Sequence, residues 1–258
     1  MHIFREPKIT LLASQQYTGA EHVRWDSDTD VPAQAIAEFA GRICYLSFGP
    51  DAGLEGGHKL IPGRTTNQAY LTNILRTGHG SVLEHAVWTF LFEGVSRALT
   101  HELVRHRHLS YSQLSQRYVD ESEVAFVLPP EIPPEGESFE LFRKSCERAL
   151  EDYRTLLAMI EEQVKDEPSA TLRRKRARQT ARSLLPNAAE TKIVVTGNAR
   201  AWRHFIELRA SESAEAEIRI LAIKVLRALQ EQAPNLFGDY TIRDAGGFEV
   251  AETQYRSV

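Results

Sequence analysis

Between Phe139 and Val164 the apolar residues recur with a regularity that admits one local structure. Phe139, Phe142, Cys146, Leu150, Tyr153, Leu157, Ile160 and Val164 fall three or four apart, the spacing that lines side chains along one face of an α-helix. A helix with a single apolar stripe must lie along a core, and Cys146, which sits on the stripe, is expected to be a core thiol. With 258 residues, 42% of them hydrophobic and 26% charged, the chain has enough apolar surface to build that core.

Around this helix the pattern alternates between strand and helix. KITLLAS (8–14) reads as a first strand. PAQAIAEFAGRICYLS (32–47) has helical spacing that places Ala35, Ile36, Phe39, Ile43 and Leu46 on one side. A glycine- and proline-broken loop covers Phe48 to Thr66, and a loop of that length is usually functional or mobile. QAYLTNILRTGHG then continues as helix, ended by Gly78 and Gly80, with Ser81 placed to cap the next turn. VWTFLFEGV (87–95) alternates, Trp88, Phe90 and Phe92 facing one way, and SRALTHELVRHR returns to helical spacing through Val95, Leu99 and Leu103. AFVLPP (125–130) is a short strand, TLRRKRARQTARSLLP a helix stopped by Pro186, TKIVVTGN a strand, and ARAWRHFIELRAS and AEAEIRILAIKVLRALQEQ two more helices. No repeat or linker interrupts the chain. The expectation is one α/β domain over residues 1–258, with a small mixed or antiparallel sheet and several long helices.

Several functions are disfavoured at once. A net charge of −4 gives no global field for nucleic acid or membrane, so any anion site must be local. Two cysteines, Cys44 and Cys146, make neither a disulfide framework nor a zinc set. No stretch has the length of a membrane span, and the N-terminal apolar run is too short for a signal peptide, so a cytoplasmic location is expected. The G-x-G-x-x-G and G-K-[ST] patterns are absent from the 48–66 loop. His79 and His85, and His101, His106 and His108, lack metal-ligand spacing and, in the second group, lie among arginines that repel a cation; no metal site is expected.

The segment RHRHLSYSQLSQRY (105–118) carries three arginines, three serines and two glutamines with little that could fill a core. Cations in the last turn of a helix would account for Arg105 and His108, since the helix dipole favours them there. It would not account for the serines and glutamines. Arginine forks match phosphate oxygens, hydroxyls complete such cradles, and amides suit a nucleobase or flavin edge. Residue types alone therefore lean towards a phosphate or nucleotide site, with a solvated turn as the alternative. A second basic run holds Arg173, Arg174, Lys175, Arg176, Arg178 and Arg182 and no acid. Such a run is most often a solvated helix face, although Arg178 and Arg182 share a side and either can reach an anion beside it. Asn198 stands at a helix N-cap, where free amides bind anions.

Arg105-His106-Arg107, seven residues, then Ser115 resembles the R-H-R-x7-S signature of the flavin-dependent thymidylate synthases, and Ser110 and Arg117 match its longer form. GHGSVLEHA (78–86), ARSLLPNAAET (181–191), NARAWRHFIELRAS (198–211) and EIR (217–219) resemble further blocks of that family, so the similarity runs from about residue 35 to 235. It implies the family's fold and a reaction in which dUMP and 5,10-methylenetetrahydrofolate give dTMP, with NADPH reducing a bound FAD. The reduced flavin supplies the hydride, and no cysteine nucleophile is needed. A homotetramer with sites at subunit interfaces is implied as well. By motif position, FAD is expected at Ser81, Arg105, His106, Arg107, Asn198, Arg200 and His204. The dUMP residues are expected to be Glu102, Arg105, Gln113, Ser115, Gln116, Arg117, Arg182 and Arg209. Arg209 is the expected catalytic group, stabilising negative charge on the uracil ring. Two departures stand out: the 48–66 loop is longer than the family's, and Ser213-Ala214 replaces a His-Ala pair before EIR.

A nucleic-acid-binding module built on the two basic segments is the rival of a different class. It lacks the stacking aromatics or a recognised module, and it predicts salt-sensitive binding. A flavoprotein of related fold acting on another nucleotide is the third reading.

Overall fold

The computed structural model describes residues 1–55 and 60–256. In chain order, β1 (Ile3–Phe4) and β2 (Lys8–Ser14) precede α1 (Pro32–Ile43), α2 (Asn67–Thr77) and a 3-10 helix at Gly80–His85. Next come β3 (Val87–Ser96), α3 (Arg97–Leu103), β4 (Ser110–Gln113), β5 (Phe126–Val127), α4 (Glu137–Gln163) and α5 (Ala170–Ala181). A second 3-10 turn (Arg182–Leu184) leads to β6 (Glu190–Asn198), α6 (Ala199–Arg209), α7 (Ala216–Gln232), α8 (Pro234–Phe237) and the strands β7 (Thr241–Asp244) and β8 (Glu249–Glu252). A four-stranded sheet has the order β2-β3-β6-β4; β1 pairs in parallel with β5, and β7 pairs antiparallel with β8. The class is mixed α/β, as expected.

The chain forms two compact units, each discontinuous in sequence. One comprises Met1–Lys8, Leu91–Arg105 and Tyr111–Val194; the other comprises Ile9–Phe90, His106–Ser110 and Val195–Val258.

In the first unit α4 does what its stripe requires. Cys146 and Leu150 pack with Val124, Phe126 and Ala189, while Tyr153 and Leu157 pack with Ala177 and Ala181 of α5. Buried alanines on α5 let the two helices approach closely, and the basic run occupies the rest of that helix. In β3, Trp88, Phe90 and Phe92 are all fully buried, so the alternation was read correctly. Gly94 is in the left-handed region (φ 64), and a Cβ there would lie 2.9 Å from the Phe4 ring. Only glycine meets both conditions.

The second unit packs Trp88 on Phe237 and Phe90 on Trp202, with α6 and α7 supplying further buried aromatic and aliphatic residues. The expected face of α1 is displaced. The buried positions are Ala33, Gln34, Ala35, Ala37, Glu38, Gly41 and Arg42, and Ile43 is 42% exposed. The reason is a buried ion pair: Arg42 Nη2 lies 2.6 Å from Glu38 Oε1, and the guanidinium stacks on Trp25 and Tyr70. Asn67 reaches the other Glu38 oxygen at 2.8 Å, so each charge finds partners, and polar residues take the core-facing side. Gly78 closes α2 in the left-handed conformation as expected. Ser81 does not cap the following turn; His79 precedes the 3-10 helix, no side chain caps it, and Ser81 lies within it. The strands β1, β4, β7 and β8 and the short α8 had no clear sequence signal, being four residues or fewer.

Candidate functional site

The signature segment begins where α3 stops. Ser96 caps α3 by accepting from Leu99 N at 3.0 Å, and the helix ends at Leu103, so Arg105, His106 and Arg107 lie outside it. Arg105, Arg107 and His108 are exposed, whereas His106 is 6% exposed. In the second unit the His106 ring meets the edge of Phe205 at 5.2 Å and His204 at 5.9 Å. Its Nε2 accepts a hydrogen bond from Arg209 Nε at 3.1 Å. A nitrogen that accepts from a guanidinium carries its lone pair, which places the ring proton on Nδ1. Arg209 is thereby anchored at the C-terminal end of α6. The backbone turns at once, with Leu109 N bonded to His106 O. Leu109 then packs over Gly197, where a Cβ would come within 2.2 Å of the leucine Cδ2. The glycine before the α6 cap is what lets the signature loop approach β6.

Asn198 is the α6 N-cap, its Oδ1 accepting from Ala201 N at 2.8 Å. That oxygen is engaged; the amide group remains for a ligand. His204 is exposed on α6. Arg200 is exposed and bonds Glu84 Oε1 at 2.6 Å. Together with Ser81, Gly80, His79, Cys44 and Tyr45, Arg200 lines a surface pocket of 390 Å³. Thus Ser81 and Arg200, far apart in sequence, share one pocket in the second unit.

In the first unit the second half of the signature forms its own polar cluster. Gln113 Nε2 reaches Thr100 Oγ1 at 3.2 Å and Thr191 Oγ1 at 3.3 Å. Ser115 starts a turn: its hydroxyl accepts from Arg117 N at 3.3 Å, and its carbonyl from Tyr118 N and Val119 N. Ser115 is therefore a backbone organiser as well as a ligand candidate, with no sign of a nucleophile's base. Gln116 is buried, and its Nε2 has no hydrogen-bond partner; the Nε of Arg117 is likewise buried and unpartnered. Buried donors without partners are rare in folded proteins and point to a missing acceptor. Glu102 is half-buried at the end of α3, and Arg182 is exposed just past α5.

Arg97 and Glu121, which carry no signal in the sequence, lie by this segment, and Arg178, read there as able to reach an anion, binds its backbone instead. Arg97, with Nη2 bonded to Leu114 O at 2.9 Å, pins the backbone between Gln113 and Ser115. Arg178 donates to Tyr118 O at 2.6 Å and to Asp120 Oδ2 at 3.3 Å. Glu121 is 4% exposed, and its backbone N–H donates to Tyr153 Oη at 3.3 Å. Burial raises the Glu121 carboxyl to about 7, against the pull of Arg97 and with the help of Glu190 and Asp120. The Nε atoms of Arg97 and Arg178 and the Oε1 of Glu121 also lack hydrogen-bond partners. A linear motif does not signal the bonds of Arg97 and Arg178, which reach this segment from 17 and 60 positions away.

Among the described residues no group of three or more His, Cys, Asp or Glu side chains could hold a metal ion. No helix among them is long and apolar enough to cross a membrane. Cys146 is buried, which raises its thiol to about 11, and Cys44 donates to Ala40 O at 3.3 Å.

The fold has a solved counterpart. A crystal structure of a UMP/dUMP methylase, PolB, from Streptomyces cacaoi bound with 5-Br dUMP superposes with a TM-score of 0.64 at 22% identity, covering 92% of this chain and 96% of that one. The model of the family described as "Thymidylate synthase complementing protein" matches residues 28–235. A flavin-dependent thymidylate synthase of Mycobacteroides abscessus is 49% identical over 245 residues, 95% of this chain and 94% of that protein. The protein of that name from Mycobacterium tuberculosis is 47% identical over the same length. Fold and sequence together define the class, a methyltransferase-type α/β enzyme. More narrowly, the chain belongs to the flavin-dependent thymidylate synthase family.

Proposed function

We propose that this enzyme converts dUMP to dTMP, taking the carbon from 5,10-methylenetetrahydrofolate and its reducing equivalents from NADPH through bound FAD. The observation that carries the reading is the pair of buried, unpartnered donors on the signature segment, Gln116 Nε2 and Arg117 Nε. A nucleotide rich in acceptors would satisfy them.

Glu102, Gln113, Ser115, Gln116, Arg117 and Arg182 bind the nucleotide, with Arg105 serving nucleotide and flavin alike. Ser81, His106, Arg107, Asn198, Arg200 and His204 hold the flavin, and the pocket shared by Ser81 and Arg200 fits part of such a group. When bound, FAD supplies the hydride. Arg209 works on the pyrimidine: its guanidinium, protonated at any working pH and anchored on His106, stabilises the negative charge left when the uracil N3 proton departs. That charge enriches carbon 5 for attack on the transferred one-carbon unit. No cysteine nucleophile is needed in this reading: Cys146 is buried with a raised thiol, and exposed Cys44 lies with Ser81 and Arg200 on the pocket assigned to flavin. The working form is a homotetramer in the cytoplasm, with sites completed by neighbouring subunits and with no nucleic-acid or membrane partner.

The test is an anaerobic assay of the purified protein with FAD. NADPH should bleach the flavin absorbance, and adding dUMP and methylenetetrahydrofolate should yield dTMP. Bleaching without dTMP would favour a related flavoprotein acting on another nucleotide, which a substrate panel identifies.

A further inference from the structure

We propose that Glu121 is a positioning residue that couples binding of the nucleotide phosphate on the Gln113–Arg117 segment to proton uptake from solvent. The inference rests on the dUMP reading above and extends it to a residue outside the signature.

The geometry is that of a carboxyl group placed behind a set of donors. Glu121 follows Arg117 by four residues and is 4% exposed. The groups around it come from several elements: Arg97 from α3, Glu190 from β6, Tyr153 from α4, and Asp120 from its own segment. Glu190 is itself committed, accepting from Gly94 N at 3.0 Å. Tyr153 accepts from the Glu121 backbone N–H and gives the carboxyl no hydrogen bond, although the two groups lie close enough to feel each other's charge. Arg97 is therefore the cation that faces the carboxyl, and the same guanidinium holds Leu114 O in the middle of the donor segment. Its Nε remains unpartnered, as does Glu121 Oε1.

An arriving phosphate dianion changes the balance in this cluster. Arg97, Arg117 and Arg178 are drawn to the phosphate, and the attraction that keeps Glu121 ionised weakens. An oxygen buried without a donor is poorly equipped to hold a negative charge beside a second anion, so it takes a proton. The neutral acid leaves Arg97 free to serve the backbone and the phosphate together. Burial already holds the carboxyl near neutrality, so the proton is exchanged within the working pH range.

The experiment titrates dUMP into the FAD-loaded enzyme by calorimetry between about pH 7 and about pH 9, where the ligand's phosphate is already a dianion. The dissociation constant of the wild type should rise about two- to fivefold across this range, matching a coupled upward shift of half to one pKa unit from about 7. Glu121→Gln should bind with a nearly flat profile. Repeating the titration at about pH 7.5 in buffers of different ionisation heat should show proton uptake in the wild type and none in the variant. A purely structural role would lower thermal stability in Glu121→Gln while leaving the pH slope of binding in place, and that outcome overturns the proposal. If the variant does not fold, infrared difference spectra of the wild type decide. dUMP but not deoxyuridine should produce a protonated-carboxyl band, and its absence overturns the proposal. A wild type that binds no dUMP at any pH overturns both this inference and the reading beneath it; dUMP binding with equal slopes overturns this inference alone.

Discussion

Arg209 Nε donates to His106 Nε2 across 3.1 Å, tying the last residue of α6 to the middle of the Arg-His-Arg motif. The two lie 103 positions apart in the chain. The histidine is buried against the Phe205 ring and the arginine is half-buried, so the contact fixes the orientation of the Arg209 guanidinium.

Arg209→Lys keeps the charge but loses the fork and the geometry at His106. Turnover should fall about 100-fold or more, while flavin absorbance retained through gel filtration should change little. Steady-state dTMP formation beside the absorbance ratio checks both; full turnover would remove Arg209 from its assigned role.

Gly197→Ala brings a methyl group into the space of Leu109 Cδ2 and against the Trp202 indole, 3.2 Å from its Nε1. The substitution should destabilise the protein by about 1–3 kcal/mol. In a Leu109→Ala background it should cost less, giving a favourable coupling in a double-mutant cycle measured by urea unfolding. Simple additivity would show that the loop and β6 do not meet as described.

Arg203 and Asp239 form a buried bidentate pair, with both contacts at 2.7 Å, and Arg203 also bonds Leu236 O. Asp239→Ala leaves a buried guanidinium without its counter-ion and should destabilise by about 3–5 kcal/mol. Replacing both residues, Arg203→Met with Asp239→Leu, should do less harm than the sum of the single changes. Denaturant midpoints of the set test this.

Glu121 contributes a pH dependence to stability whose sign follows from its raised carboxyl. In the unfolded chain this group ionises near 4.5, and in the folded protein near 7. Between those values the folded state holds more protons, so stability is greatest below the lower value and declines as pH rises towards the upper one. The decline amounts to no more than about 3 kcal/mol. Glu121→Gln should flatten it, which melting temperatures from about pH 4.5 to about pH 8 will show by their convergence or its lack.

The helix α4 and the strands β3 and β6 were legible because each buries one face and writes that face into its apolar period. The α1 face was misread for a physical reason. Glu38 and Arg42 look like surface residues in the sequence, yet they neutralise each other inside the protein and displace Ile43 outward. Ser81 carried a capping signal that the 3-10 geometry of its segment leaves unused. The 48–66 loop falls partly at residues 56–59, outside those described.

By itself the sequence determined the α/β class, the family and the residue types gathered in the Arg-His-Arg segment, since periodicity and motif spacing are properties of neighbours in the chain. Only the tertiary structure decided which of those residues are anchored. Arg209 depends on His106, the Gln113–Arg117 backbone on Arg97, and the turn beyond it on Arg178. Hydrogen bonds between residues tens of positions apart leave no period to read, because they are made by folding and recorded only in space.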